Sequence, residues 1–129
     1  MKRMMVCIFL IWVILCGCQV QSSEVDWGSF TAGETYSYDE KYYAIQETVK
    51  VDGYDAVKVS IYDADHSFVY SFQPARAADF WGICWEKDTY NIWVQSADIG
   101  VHCYSYVNGE WMVNYSAIRP DYIRSKYDS

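Results

Sequence analysis

Val101-His102-Cys103-Tyr104-Ser105-Tyr106-Val107-Asn108-Gly109-Glu110-Trp111-Met112-Val113-Asn114 is the stretch that decides the fold. Asn108-Gly109 separates two runs rich in aromatic and β-branched residues, which suit a half-buried pleated surface. An Asn-Gly pair in that position predicts a two-residue hairpin, because both turn residues must take positive φ. Strands are therefore expected over residues 101–107 and 110–114.

The pattern recurs upstream. Strands are expected over residues 80–86 and 90–95, joined by Lys87-Asp88-Thr89, with residues 96–100 turning into the next strand. A first group precedes Pro74. It comprises residues 41–49, the turn Val51-Asp52-Gly53-Tyr54, residues 56–62, the turn Asp63-Ala64-Asp65-His66, and residues 67–73. Pro74 is expected to end that group, since proline has no amide hydrogen to give to a sheet. Residues 75–79 read as a loop or a single helical turn. Pro120 is placed to open a short C-terminal helix through about residue 127. The fold class is all-β: an antiparallel meander of about seven strands in two halves, forming a small sandwich or a partly closed barrel.

Turn geometry sets a register in the second half. If Asp88-Thr89 is a two-residue loop, Cys84 faces Trp93; if Gln95 pairs with Val101, Trp93 faces Cys103. The two cysteines then share a face on either side of Trp93. Two strand spacings are about 10 Å, beyond the ~7 Å that a disulfide spans between Cα atoms, so two thiols are expected. A bulge within residues 96–100 would shift this register. Ile83, Trp85, Ile92, Val94 and Tyr104 fall on the opposite face. A sheet apolar on both sides is either covered twice or presents a binding surface.

Thirteen Tyr, six Trp and five Phe in 129 residues exceed what a small core requires. An aromatic ring joins flat apolar area to a polar edge, a combination suited to sugars and peptides. Trp81, Trp85, Trp93, Tyr104, Tyr106 and Trp111 are the expected members of a ligand-binding aromatic face.

The chain opens with Lys2-Arg3 and an apolar run from Met4 to Leu15, followed by Cys16-Gly17-Cys18. A basic start, about a dozen apolar residues and a small residue before a cysteine read as a secretory signal. Leu15-Cys16-Gly17-Cys18 resembles the lipobox of bacterial lipoproteins. The resemblance implies cleavage before Cys18 and a diacylglyceryl thioether on it. An uncleaved anchor is the other reading, because the run extended to Val20 approaches the about 20 apolar residues that span a bilayer. Either reading holds the remaining chain at the cell membrane, facing outside the cytoplasm. The expected organisation is a signal peptide over 1–17, a tether over 18–35 from which Trp27 and Phe30 can dock back, and a β domain over 36–129.

Without Lys2 and Arg3, eight basic residues remain against 17 acidic ones, a net charge near −9. That balance argues against nucleic acid as a partner, since phosphate contacts need a basic surface. It also disfavours docking on anionic lipid, which leaves the acyl anchor to hold the membrane.

Ser96-Ala97-Asp98-Ile99-Gly100 resembles the start of the Asp-box of sialidase-type propellers, with His102 and Cys103 where that motif has Thr and Trp. The resemblance implies a structural turn in which Asp98 accepts backbone hydrogen bonds and Gly100 takes a conformation that a Cβ opposes. It implies no glycosidase chemistry. The two halves also look like propeller blades in layout. Two blades do not close a ring, so a monomer that packs its own sheets is favoured over a ring oligomer.

His66 and His102 lack metal-site spacing, and Asp63-Ala64-Asp65 lacks that of a calcium loop. No glycine-rich phosphate loop or Gly-x-Ser-x-Gly elbow occurs. No catalytic residue, metal or cofactor is expected. The expected function is a non-enzymatic binding domain on a membrane lipoprotein, taking a protein or carbohydrate through its aromatic face. The alternative is a structural or accessory subunit of an envelope assembly, marked by an exposed, uncharged edge strand. A hydrolase ranks last.

Overall fold

A computed structural model describes residues 27–77 and 81–125. It contains eight strands: β1 (Thr35–Tyr36), β2 (Tyr42–Val51), β3 (Tyr54–Asp63), β4 (Phe68–Arg76), β5 (Gly82–Trp85), β6 (Ile92–Ser96), β7 (Gly100–Val107) and β8 (Glu110–Asn114). They form two antiparallel meanders, β1-β2-β3-β4 and β5-β6-β7-β8. The sheets do not close into a barrel, and the all-β fold is sandwich-like. The signal peptide, Cys18 and the first part of the expected tether lie outside the described residues.

Turn chemistry places the hairpins. Asp52 and Gly53 take φ of 47° and 84°, and Asn108 and Gly109 take 51° and 83°. Both pairs are two-residue turns, with Val51 facing Tyr54 and Val107 facing Glu110. The register worked out for the second half holds: Cys84 pairs with Trp93, and Trp93 with Cys103. Both cysteines are thiols.

Pro74 does not end its strand. Between the pairs Val57↔Ala75 and Val59↔Phe72, Gln73 and Pro74 together oppose Lys58, a β-bulge on the edge strand β4. A bulge on an edge leaves one residue outside the ladder, so proline's missing amide hydrogen costs no sheet bond.

Alternation sorts the side chains into two clusters. Ala44, Val57, Val59 and Ile61 of the first sheet meet Ile83, Trp85, Ile92, Val94 and Trp111 of the second in the main core. β1 lies against β5, and β4 against β6 and β8. On the far face of the second sheet, Cys84, Trp93 and Cys103 form a smaller cluster with Ile123, flanked by Phe30, Val101, Ala117 and Tyr122. The doubly apolar sheet is therefore covered twice, the second time by segments from both ends of the described chain.

Those segments change two expectations. Trp27 packs against the main core and Phe30 against the smaller cluster, so residues expected in the tether join the domain from Trp27 onward. Thr31 exchanges two backbone bonds with Ile83, each 2.9 Å. The expected C-terminal helix does not form over the described residues to 125: residues 120–123 make a single turn, with Ile123 N donating to Pro120 O at 3.0 Å. The rest of that expectation, to residue 127, lies outside the described residues. Arg124 N donates sideways to Gly28 O at 3.0 Å. Ile123 is buried on the sheet, worth about 1.5–3 kcal/mol, which outweighs one short turn of helix.

Candidate functional site

The aromatic face expected from Trp81, Trp85, Trp93, Tyr104, Tyr106 and Trp111 does not form as one surface. Trp85 and Trp111 point into the main core and Trp93 into the opposite cluster, with exposures of 2%, 1% and 4%. Alternation is the reason: Trp93 neighbours Ile92 and Val94 on the strand and so faces away from them. Each buried indole has an acceptor. Trp85 Nε1 donates to Thr35 O, Trp93 Nε1 to Glu86 Oε1 and Trp111 Nε1 to Tyr90 O, at 3.2, 2.9 and 2.6 Å. Trp81 is half-buried against the core, and Tyr104 stacks on Phe72 at 4.5 Å. Of the six, Tyr106 alone is counted among the exposed residues.

The turn residues are also placed. Ser96 pairs with Gly100, which takes φ of 78°, and Asp98 N donates to Ser96 Oγ at 3.2 Å. The Asp98 carboxylate accepts from Arg76 N at 3.1 Å, tying this turn to the end of β4 in the other sheet.

Exposed aromatic surface lies instead on the first sheet. Tyr36, Tyr43, Tyr62 and Phe68 pair in succession across β1, β2, β3 and β4. Their ring centroids are 5.6, 5.3 and 5.9 Å apart. The row stands on the face opposite Ala44 and Ile61, away from the core. His66 Nδ1 lies 2.8 Å from Tyr43 Oη and the imidazole packs edge-on to that ring. Sequence reasoning missed this ladder, yet the Asp52-Gly53 turn already implied it: if Val51 faces Tyr54, Tyr43 faces Tyr62.

A second aromatic group, Tyr38, Tyr42, Tyr90, Tyr106 and Trp111, bridges the sheets at one end of the sandwich. Tyr90 Oη donates to Asp39 at 2.6 Å, which pushes its hydroxyl well above the ordinary phenol range. Burial, and a hydrogen bond with Tyr106, also raise Tyr42.

Between these groups runs a groove along β1. It consists of two adjoining hollows of about 270 and 280 Å³ that share Trp27, Thr35 and Tyr36. Cys84 and Trp85 help close the first, while Glu34, Ser37, Tyr38 and Glu40 line the second. Tyr36 Oη donates to Glu34 Oε1 at 2.8 Å, and this bond raises the tyrosine's pKa.

The chain matches no family model, no curated protein and no solved structure. Among the described residues, no three of His, Cys, Asp and Glu gather to hold a metal ion. Asp63 instead accepts from Asp65 N and Ser67 N within its own turn. No helix of the described residues is long and apolar enough to cross a membrane.

Proposed function

We propose that the chain is a lipid-anchored, non-enzymatic binding protein on the outer side of a bacterial cell membrane, engaging a protein or carbohydrate ligand through the first sheet. The ladder Tyr36–Tyr43–Tyr62–Phe68 carries this reading. Its ends are 49% and 61% exposed, although burying a Phe side chain stabilises a fold by about 1.5–3 kcal/mol. Tyr43 is only 8% exposed, so Tyr36 and Phe68, with half-buried Tyr62 between them, offer the surface, and their packing leaves little rotamer entropy to lose. The Leu15-Cys16-Gly17-Cys18 sequence supports the anchoring part.

Purified chain and a Tyr36→Ser/Phe68→Ser variant, screened on a glycan array and in envelope pull-downs, test the ligand reading. A ligand held by the native chain and lost by the variant is expected; equal retention by both removes the reading. Cys18→Ser is expected to abolish palmitate incorporation, and continued labelling would rule out the anchor.

One observation favours a second reading, an accessory subunit. The edge strand β8 and its continuation carry no charged residue from Trp111 to Ile118, and Met112, Val113, Tyr115 and Ile118 are exposed. Natural edges are usually blunted with charge, so a neutral one suits a partner strand. A monomer by light scattering at every concentration would count against the self-assembling form of this reading.

A further inference from the structure

We propose that the groove beside Thr35–Tyr36 binds an alkylammonium cation. This rests on reading the domain as a binding module and specifies the ligand chemistry. Three rings line the second hollow, those of Trp27, Tyr36 and Tyr38, together with the carboxylates of Glu34 and Glu40. Aromatic rings and carboxylates both attract positive charge, and an ammonium is the group that gains from both at once. A neutral sugar would stack on the same rings and donate hydroxyls to the same carboxylates, but only a cation gains charge attraction from Glu34 and Glu40 as well.

Two further observations point to a cation. Among the described residues the one ion pair is Lys50–Asp55 at 2.8 Å, so no cation of those residues pairs with Glu34 or Glu40. Trp27 already holds one ammonium within the chain: Lys87 Nζ lies 5.9 Å from its ring centroid and 5.9 Å from that of Tyr122. The indole is thus within cation–π reach of an ammonium in the chain itself, and the second hollow adds the carboxylates of Glu34 and Glu40 beside the same ring. The net charge near −9 after signal removal draws cations towards the domain.

A quaternary ammonium, as in a choline headgroup, and a primary one, as in a lysine side chain, share this chemistry. The full chain in neutral detergent is titrated with choline, with Nα-acetyl-lysine amide and with 3,3-dimethylbutan-1-ol, the uncharged isostere of choline. The readout is the indole N–H signal of Trp27 in NMR, assigned with Trp27→Phe. At least one of the two cations is expected to shift that signal saturably, with a Kd on the order of 1 mM. The isostere is expected to leave it in place. Glu34→Gln with Glu40→Gln, both at exposed positions, should weaken binding about tenfold and remove most of its salt dependence.

Equal shifts from the isostere, or an undiminished affinity in the double Gln variant, overturn the proposal. So does a failure of both cations. If the ladder-dependent ligand survives that failure, the binding reading stands and the groove assignment alone falls. If neither binds, both fall.

Discussion

Asp39 accepts three hydrogen bonds, from Tyr90 Oη at 2.6 Å, Lys41 N at 3.0 Å and Ser37 Oγ at 3.0 Å. Burial acts to raise its pKa, but these donors outweigh burial and hold the carboxyl below its ordinary value of 3.8. A depressed folded-state pKa contributes stability that is present above the unfolded value and lost as pH falls through the folded one. The same bond raises Tyr90, whose contribution is present below about pH 10 and lost as pH rises towards its folded value. Asp39→Asn should therefore flatten the melting temperature's fall between about pH 5 and pH 2. Tyr90→Phe should cost about 1–2 kcal/mol at neutral pH. Melts of Asp39→Asn that track the native curve down the acid limb would show that the pair contributes nothing.

Elements follow from turns more closely than from strand propensity. Asn108-Gly109 and Asp52-Gly53 were readable because a two-residue loop leaves one register open, and from that register every cross-strand pair follows. Pro74 misled because a bulge on an edge strand cannot be recognised until the edge itself is known. The C-terminal helix misled because local capping signals competed with the burial of Ile123, a contact made with strands far back in the sequence. The entry and exit segments meet at one point. Gly28 takes φ of 102°, and a Cβ there would overlap the Tyr122 carbonyl oxygen. Gly28→Ala should force both segments apart and destabilise by about 2 kcal/mol or more, combining backbone strain with lost packing. Chemical denaturation with a midpoint unchanged from the native chain would contradict that clamp.

Over the whole molecule, the two covering segments make the second sheet the middle layer. Cys84 and Cys103 lie beneath them, and burial pushes the Cys103 thiol up to about 11. Neither thiol should react with a maleimide at neutral pH until the outer layer opens, since the thiolate is the nucleophile. If opening is local, labelling should outpace global unfolding, and Gly28→Ala should accelerate it. Labelling at the rate of a surface cysteine would mean that the outer layer is absent in solution.

The candidate site divides along the same line. Tyr36, Tyr43, Tyr62 and Phe68 belong to one meander, and hairpin register could have aligned most of that row. The groove joins Trp27 and Glu34, from the segment leading into β1, to Trp85 of the second sheet, so no local pattern announces it. The six aromatics first grouped as a face failed for a related reason. Period-two alternation already set Trp93 on the side opposite Trp85 and Tyr104, and it did not say which side meets the core.

Turn chemistry and alternation were enough for the all-β class, the hairpin order, the second-half register and the spacing that keeps Cys84 and Cys103 as thiols. These depend on neighbours a few residues apart. Which apolar face meets the other sheet, what covers the face left over, and where rings remain exposed were decided by tertiary packing. Those outcomes depend on contacts between residues tens of positions apart, such as Trp85 with Thr35 and Gly28 with Tyr122. Their energy comes from burying surface that many alternative stackings could also bury, so only the assembled sandwich selects among them.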